Sequence, residues 1–367
     1  TSGPVLADLD GDGDSEVLVA LDYAETGGLS AIQGDGSYLW QRSYTSETPM
    51  SVADVDRDGD VEILVSGYGP GMSRLYTFLL DHKGQQVTRW LGGSPNGIVT
   101  ADLDADGTSE IVFCSDTAVL ATHADGTTLW KTRVDDPLET GGGLCVGDLD
   151  DDGLCEVYMT ALVQADGFVF TRVYALDHEG QPLTETGYPK TMMGYSSQCA
   201  PLIADLDGDG QKELIVAPGY EPAMAWEADG TLTPGFPMLG LACNYRCNPA
   251  LADLDADGDL EIMTPTDDHR FRVLDLTAPY AADRIDWGML HRDAQNSNWV
   301  LAAPQIDVAS MPTQVKAGQR VEIRLAATNP ADLALNWVVG ALPEGGVYDD
   351  ANDTISWEVS VDQVFKS

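Results

Sequence analysis

Asp8-Leu9-Asp10-Gly11-Asp12-Gly13-Asp14-Ser15-Glu16 decides how this chain is read, because the same pattern returns five more times. The further copies are Asp54-Val55-Asp56-Arg57-Asp58-Gly59-Asp60-Val61-Glu62, Asp102-Leu103-Asp104-Ala105-Asp106-Gly107-Thr108-Ser109-Glu110 and Asp148-Leu149-Asp150-Asp151-Asp152-Gly153-Leu154-Cys155-Glu156. Asp205-Leu206-Asp207-Gly208-Asp209-Gly210-Gln211-Lys212-Glu213 and Asp253-Leu254-Asp255-Ala256-Asp257-Gly258-Asp259-Leu260-Glu261 complete the set. Each obeys D-x-D-x-D-G-x-x-E without exception.

This spacing points to calcium. Ca²⁺ is a hard ion that takes six to eight oxygens at about 2.3–2.6 Å. Carboxylates at positions 1, 3 and 5 of a tight loop converge on one point, and the position 6 glycine permits the sharp turn by tolerating positive φ. The position 7 carbonyl (Asp14, Asp60, Thr108, Leu154, Gln211, Asp259) adds an oxygen, and the position 9 glutamate closes the shell. Magnesium resists dehydration and rarely accepts an all-protein cage. The competing reading, a solvated Asp/Gly turn, weakens with every regularly spaced copy. An EF-hand needs its glutamate at position 12 and flanking helices. Here β-branched runs follow at once, as in Glu16-Val17-Leu18-Val19 and Glu62-Ile63-Leu64-Val65, so each loop is expected to join two buried strands.

The first aspartates of successive copies are separated by 46, 48, 46, 57 and 48 residues, the length of a four-stranded propeller blade. A short apolar strand enters each loop, a second leaves it, a third alternates, a Gly turn follows, and the fourth often carries an aromatic such as Trp40, Trp90 or Trp130. The expected fold is all-β: a β-propeller over residues 1–300, six-bladed, or seven-bladed if a blade lies upstream. The longer fourth repeat places extra residues in a hairpin around Gln164 to Gly167. Residues 303–367 lack the loop and alternate like a small immunoglobulin-like or cadherin-like β-sandwich, short enough to be incomplete.

The net charge is −41, and the conserved carboxylates of the six loops supply 24 of the 60 acidic residues. Six Ca²⁺ ions would bring the balance to about −29. Such acidity excludes the basic patches that nucleic-acid binding needs. No apolar run approaches the length of a membrane-spanning helix. The chain opens inside a repeat, so any secretion signal would lie upstream. Cys114, Cys145, Cys155, Cys199, Cys243 and Cys247 show no zinc-site spacing. Cys243 and Cys247 are close enough in sequence to pair, Cys199 and Cys247 hold equivalent positions two residues before a Pro that would bring them near across adjacent repeats, and buried free thiols explain the set equally well. Weak calcium loops need millimolar calcium, which favours an extracellular or cell-surface setting.

The repeated P-x-x-A-D-L-D-G-D-G-x-x-E-I-V pattern resembles the FG-GAP/VCBS repeat family, related to the N-terminal propeller of integrin α chains. In that family the acidic loop joins the first two strands of a blade and holds structural calcium. The resemblance implies that the aspartates and glutamates quoted above are ligands for about six Ca²⁺ ions. Gly187-Tyr188-Pro189 and Gly235-Phe236-Pro237 are similar to blade-closing strands of such proteins, and Trp287 to Asn296 to a segment near propeller ends.

No G-x-S-x-G elbow, H-E-x-x-H pair or phosphate-binding glycine loop is present. His82, His123 and His178 fall at or near one recurring turn and read as turn chemistry; His269 sits in a hairpin tip and His291 in the closing segment. Binding is therefore expected rather than catalysis. Tyr23, Tyr68 and Tyr220 recur 14 or 15 residues after the first aspartate of their loops, which predicts a shared face opposite the calcium loops. Asn96, Tyr195, Tyr245, Arg246 and Asn248 should lie near it, and this mixture suits a carbohydrate or protein ligand. The expected function is a calcium-stabilised recognition or adhesion module within a larger, monomeric multidomain chain. The alternatives are a non-catalytic propeller of an extracellular hydrolase or lyase, or a polysaccharide lyase.

Overall fold

The computed structural model describes residues 4–20, 28–45, 50–92, 97–115, 118–134, 143–165, 168–193, 200–219, 221–239, 241, 248–266, 270–281, 284–289, 292 and 299–300. Beyond these it describes five short strands after residue 300. Two compact units divide the chain, Thr1–Val300 and Leu301–Ser367.

In the first unit each repeat folds as one antiparallel meander. Repeat 1 is β1 (Val5–Ala7), β2 (Glu16–Ala20), β3 (Leu29–Ile32) and β4 (Tyr38–Arg42). Repeat 2 is β5 (Ser51–Ala53), β6 (Glu62–Gly67), β7 (Tyr76–Leu80) and β8 (Gln86–Leu91). Repeat 3 is β9 (Ile98–Ala101), β10 (Glu110–Ser115), β11 (Ala118–Thr122) and β12 (Thr128–Arg133). Repeat 4 is β13 (Leu144–Gly147), β14 (Glu156–Ala165), β15 (Phe168–Leu176) and β16 (Lys190–Met193), and its β14–β15 hairpin is the extended one. All described secondary structure other than turns, bends and a single 3₁₀ position is strand.

The last two repeats depart from the expected four strands. Repeat 5 has β17 (Leu202–Ala204), β18 (Glu213–Val216) and β19 (Met224–Trp226), with single bridges from Ala223 to Met238 and Trp226 to Leu232 in place of a fourth strand. Repeat 6 stops at β20 (Ala250–Ala252), β21 (Asp259–Pro265) and β22 (Phe271–Pro279). The chain then turns back. β23 (Ile285–Trp287) pairs antiparallel with β17, and β24 (Trp299–Val300) pairs parallel with β9. The two described strands after repeat 6 thus pair with the first strands of other repeats. Trp287 is fully buried there.

Strand alternation explains the stacking. Successive side chains point to opposite faces, and both faces of the middle sheets are apolar. Ile63, Val65, Phe78 and Leu80 pack with Val5, Leu18 and Leu29 of repeat 1. Leu64 and Leu79, one residue out of phase, pack with Ile98, Ile111 and Phe113 of repeat 3. A third cluster continues from Val99 and Val112 through repeats 4 and 5 to Leu251 and Ile262 of repeat 6. Sheets therefore stack face on face in chain order. The outer edges are pinned as well: the Trp40 indole donates to the His82 carbonyl of the next repeat at 2.9 Å, and Trp130 donates to the His178 carbonyl at 2.8 Å. Leu6 of repeat 1 and Phe271 and Val273 of repeat 6 stay exposed.

The second unit contains β25 (Gln305–Ile306) paired with β27 (Ala327–Thr328), and a sheet in the order β26 (Arg320–Arg324), β29 (Thr354–Glu358), β28 (Val347–Asp349). The expected strand at residues 335–339 lies outside the described residues.

Candidate metal centres

Every acidic loop joins the first and second strands of its repeat. One register sets all six. The residue before the first aspartate pairs with the position 9 glutamate: Ala7 with Glu16, Ala53 with Glu62, Ala101 with Glu110, Gly147 with Glu156, Ala204 with Glu213 and Ala252 with Glu261. The glutamate is thus the first ladder residue, and its side chain folds back beneath the loop.

There it does more than the sequence suggested. One carboxylate oxygen accepts the position 2 N–H in all six loops, at 2.8 Å for Leu9, 3.1 Å for Val55, 2.8 Å for Leu103, 3.0 Å for Leu149, 2.6 Å for Leu206 and 2.5 Å for Leu254. The position 5 aspartate accepts the position 7 N–H in every copy, at 2.7–3.0 Å. Asp8, Asp54, Asp148, Asp205 and Asp253 accept the position 6 glycine N–H at 3.0–3.2 Å. The position 6 glycines all have φ between 91° and 95°, as expected. Position 4 is left-handed too, at Arg57, Ala105, Asp151 and Ala256 as well as Gly11 and Gly208. Only the two glycines at that position hinted at it.

These contacts leave oxygens free and facing one another. Ligand atoms of Asp8, Asp10 and Glu16 lie within 4.8 Å of each other, as do those of Asp54, Asp56 and Glu62, of Asp102, Asp104 and Asp106, and of Asp148, Asp150 and Glu156. Oxygens around one Ca²⁺ sit up to about 5 Å apart, twice the bond length. Asp54 Oδ1, Asp102 Oδ1, Asp253 Oδ1 and Glu213 Oε1 are buried without a hydrogen-bond partner. A buried carboxylate oxygen with no donor is costly, and a cation is what such a cradle fits. Burial is also the main cause that pushes the carboxyls of Glu62 and Glu156 up to about 8, with loop aspartates adding to it. Glu16, Glu110 and Glu213 are raised for the same reason.

The turn between third and fourth strands reaches towards each loop. In the first five repeats its first residue is Gln33, Asp81, His123, Asp177 or Glu227, each donating its N–H to the carbonyl four residues on at 2.8–3.0 Å. His82 and His178 occupy the second turn position, and their carbonyls take the tryptophan indoles. His123 occupies the first, with Nδ1 3.0 Å from Glu110 Oε1. The three histidines are therefore not equivalent, contrary to the sequence expectation. His269 and His291 lie outside the described residues.

A network invisible in the sequence ties the returning segment to the fourth loop. Lys212, buried at position 8 of the fifth loop, donates to the Asp148 carbonyl at 2.6 Å and to Asp286 Oδ2 at 2.9 Å. The same Asp286 oxygen accepts the Asp148 N–H at 3.0 Å, and Arg284 pairs with Asp151 at 2.7 Å. Burial alone would depress the Lys212 ammonium, but Asp286, Asp148 and Asp151 outweigh it and hold it above its usual range.

Of the residues expected on the opposite face, Tyr68 is half-buried and exchanges backbone and side-chain hydrogen bonds with Thr45 at 3.0 and 3.2 Å. Asn248 is half-buried, and neither its Oδ1 nor its Nδ2 has a partner. Tyr23, Asn96, Tyr195, Tyr220, Tyr245 and Arg246 lie outside the described residues, as do Cys199, Cys243 and Cys247. Cys114, Cys145 and Cys155 are free thiols. No helix among the described residues is long and apolar enough to cross a membrane.

Among solved structures, the chain is similar to the Vibrio cholerae biofilm matrix protein Bap1, at 12% identity and TM-score 0.40, covering 100% of this chain and 89% of that one. It is similar to BBS1N in its complex with ARL6DN, at 11% identity and TM-score 0.46, covering 78% and 83%. A protein of unknown function from Bacteroides caccae matches at 14% identity and TM-score 0.36, covering 74% and 96%. No curated protein matches the chain. The FG-GAP-like repeat family matches residues 8–65, 54–113 and 205–264, so the chain carries FG-GAP-like repeats spanning all the acidic loops but the fourth.

Proposed function

We propose that the six loops hold structural Ca²⁺, and that the stack of repeats they brace is an extracellular recognition or adhesion module. The observation that carries this reading is the set of buried, partnerless carboxylate oxygens at Asp54, Asp102, Glu213 and Asp253, each in a loop already folded by its own hydrogen bonds. Asp8, Asp10, Asp12 and Glu16 would supply side-chain oxygens to the first ion, and the matching residues of the other loops would do the same, with the position 7 carbonyl joining. Bound calcium would supply charge neutralisation and nothing redox. The FG-GAP-like repeats support the assignment. Loops of low affinity fill at the millimolar calcium found outside cells.

With the acidic loops committed to metal, ligand contact falls to the opposite side, where Tyr68 and Asn248 sit among the second-to-third strand connections and first-strand entries. A carbohydrate or protein surface is the class of partner. Glycan-array binding in calcium, with Tyr68→Ala and Tyr220→Ala as the paired variant, tests this. Lost binding at an unchanged melting temperature supports the reading, whereas unchanged binding refutes that face. Turnover of a uronic-acid polysaccharide would replace the recognition module with a lyase.

A further inference from the structure

The third loop differs from the others in the side chain that its turn brings to it. Asp104, Glu110 and His123 offer ligand atoms that all lie within 4.8 Å of one another. Glu110 is fully buried, its Oε2 is held by the Leu103 N–H at 2.8 Å, and its Oε1 faces His123 Nδ1 at 3.0 Å. Two tetrahedral ligands on an ion with bonds of about 2.0–2.2 Å stand about 3.4 Å apart, so this pair needs to part by only about 0.4 Å to hold one. In repeats 1, 2, 4 and 5 this turn position holds Gln33, Asp81, Asp177 or Glu227, all oxygen-bearing, so among these five repeats only the third places an imidazole there; His82, one position on in repeat 2, stands instead 3.3 Å from Asp60 Oδ2.

We propose that the pocket of the third loop is a selective site for a divalent transition ion, with Zn²⁺ the preferred probe, ligated by His123 Nδ1, Glu110 and Asp104. Imidazole suits zinc and its neighbours, whereas calcium favours carboxylate and carbonyl oxygen. A neighbouring positive charge also weakens this loop for a hard ion. The Arg57 guanidinium of the preceding loop lies against Gly107, where a Cβ would collide with it. Calcium affinity follows ligand charge, and a neighbouring cation lowers it. Asp102 Oδ1, buried and partnerless beside Asp104 and Asp106, is a further oxygen for the same ion. In zinc-free buffer the loop takes Ca²⁺ like the rest, and this proposal rests on the calcium reading only for the identity of the ion displaced.

The test is Zn²⁺ titration by calorimetry of the whole chain in saturating calcium, with Co²⁺ absorption reporting imidazole coordination. One Zn²⁺ should bind per chain. His123→Gln and His123→Ala should each weaken it by about 10–100-fold or more, the scale on which even groups behind a ligand act. Both variants should keep the calcium-dependent rise in melting temperature. Zinc binding that is unchanged in both variants, or absent from the wild type, overturns the proposal. A melting temperature insensitive to calcium, with zinc binding intact, refutes the calcium reading and leaves this one standing.

Discussion

Replacing Glu62 with glutamine should stabilise the metal-free protein and shrink what calcium adds. Glu62 is 5% exposed, its Oε2 accepts the Val55 N–H at 3.1 Å, and burial pushes its carboxyl from 4.5 up to about 8. In the metal-free fold at pH 7 it therefore keeps its proton, while the unfolded chain releases it. The unfolded state binds fewer protons, so metal-free stability falls as pH climbs from about 4.5 to about 8. Two and a half pH units above the ordinary carboxyl value correspond to about 3 kcal/mol at pH 7. Glutamine still accepts from Val55 and carries no ionisable proton. Glu62→Gln should then stabilise the metal-free protein by up to about 3 kcal/mol. At an unfolding entropy of about 2.1 cal/mol/K per residue over some 300 residues, that is about 5 °C in Tm. In about 1 mM calcium the same change removes a charged ligand. A site with Kd near 10⁻⁴–10⁻³ M contributes roughly 0.4–1.4 kcal/mol there, so the variant should forgo about 1–2 °C of calcium's Tm gain and exceed the wild type by only about 3–4 °C. Differential scanning calorimetry in EDTA and in calcium at pH 7 reads both effects, and a repeat at pH 4.5 should shrink the EDTA gain. A Tm lowered in both buffers would mean that Glu62 is only a hydrogen-bond acceptor, and the reasoning would fail.

Other expectations follow from the same geometry. Calcium binding should release protons between pH 6 and 8, because ligation ionises carboxyls such as Glu62 and Glu156 that burial holds up to about 8; calorimetry in buffers of different ionisation enthalpy measures this, and buffer-independent heats would contradict it. Lys212→Met leaves Asp286 and the Asp148 carbonyl without their cation and should cost about 3–5 kcal/mol by denaturant unfolding, against under about 1 kcal/mol if the network is a solvated surface pair. Gly180→Ala would set a Cβ 2.5 Å from Trp130 Cδ2 at a φ of +76°, so Tm should fall; Ala256→Gly, relieving a left-handed alanine at +60°, should gain about 1 kcal/mol.

What could be read from the residues followed from how local the determinants are. A nine-residue loop with its own hydrogen bonds and a following β-branched strand is specified within the repeat, so loop positions, strand pairs and the turns at Gly84, Gly126 and Gly180 were legible. The alternation of Ile63, Leu64 and Val65 between two cores was legible as a strand buried on both faces. Contacts between distant segments were not. Nothing at Asp286 signals that it caps Asp148, 138 residues away, nor that the segment after repeat 6 pairs with β17 and β9. The histidines show the limit most sharply: a one-residue offset within the turn, undetectable without the hydrogen-bond pattern, sets His123 against the loop glutamate Glu110 and His82 against the position 7 aspartate Asp60 at 3.3 Å.

The most direct test of the account is the melting curve of the intact chain in zinc-free buffer at pH 7.5, first with excess EDTA, then after adding back calcium or an equal concentration of magnesium. Six sites at roughly 0.4–1.4 kcal/mol each amount to about 2.5–8.5 kcal/mol at 1 mM calcium, against a typical total stability of 5–15 kcal/mol. EDTA should therefore lower Tm by many degrees or unfold the repeats, and calcium should restore the transition where magnesium does so only weakly. A melting curve that does not move between EDTA and calcium would contradict structural calcium and return the six loops to solvated turns.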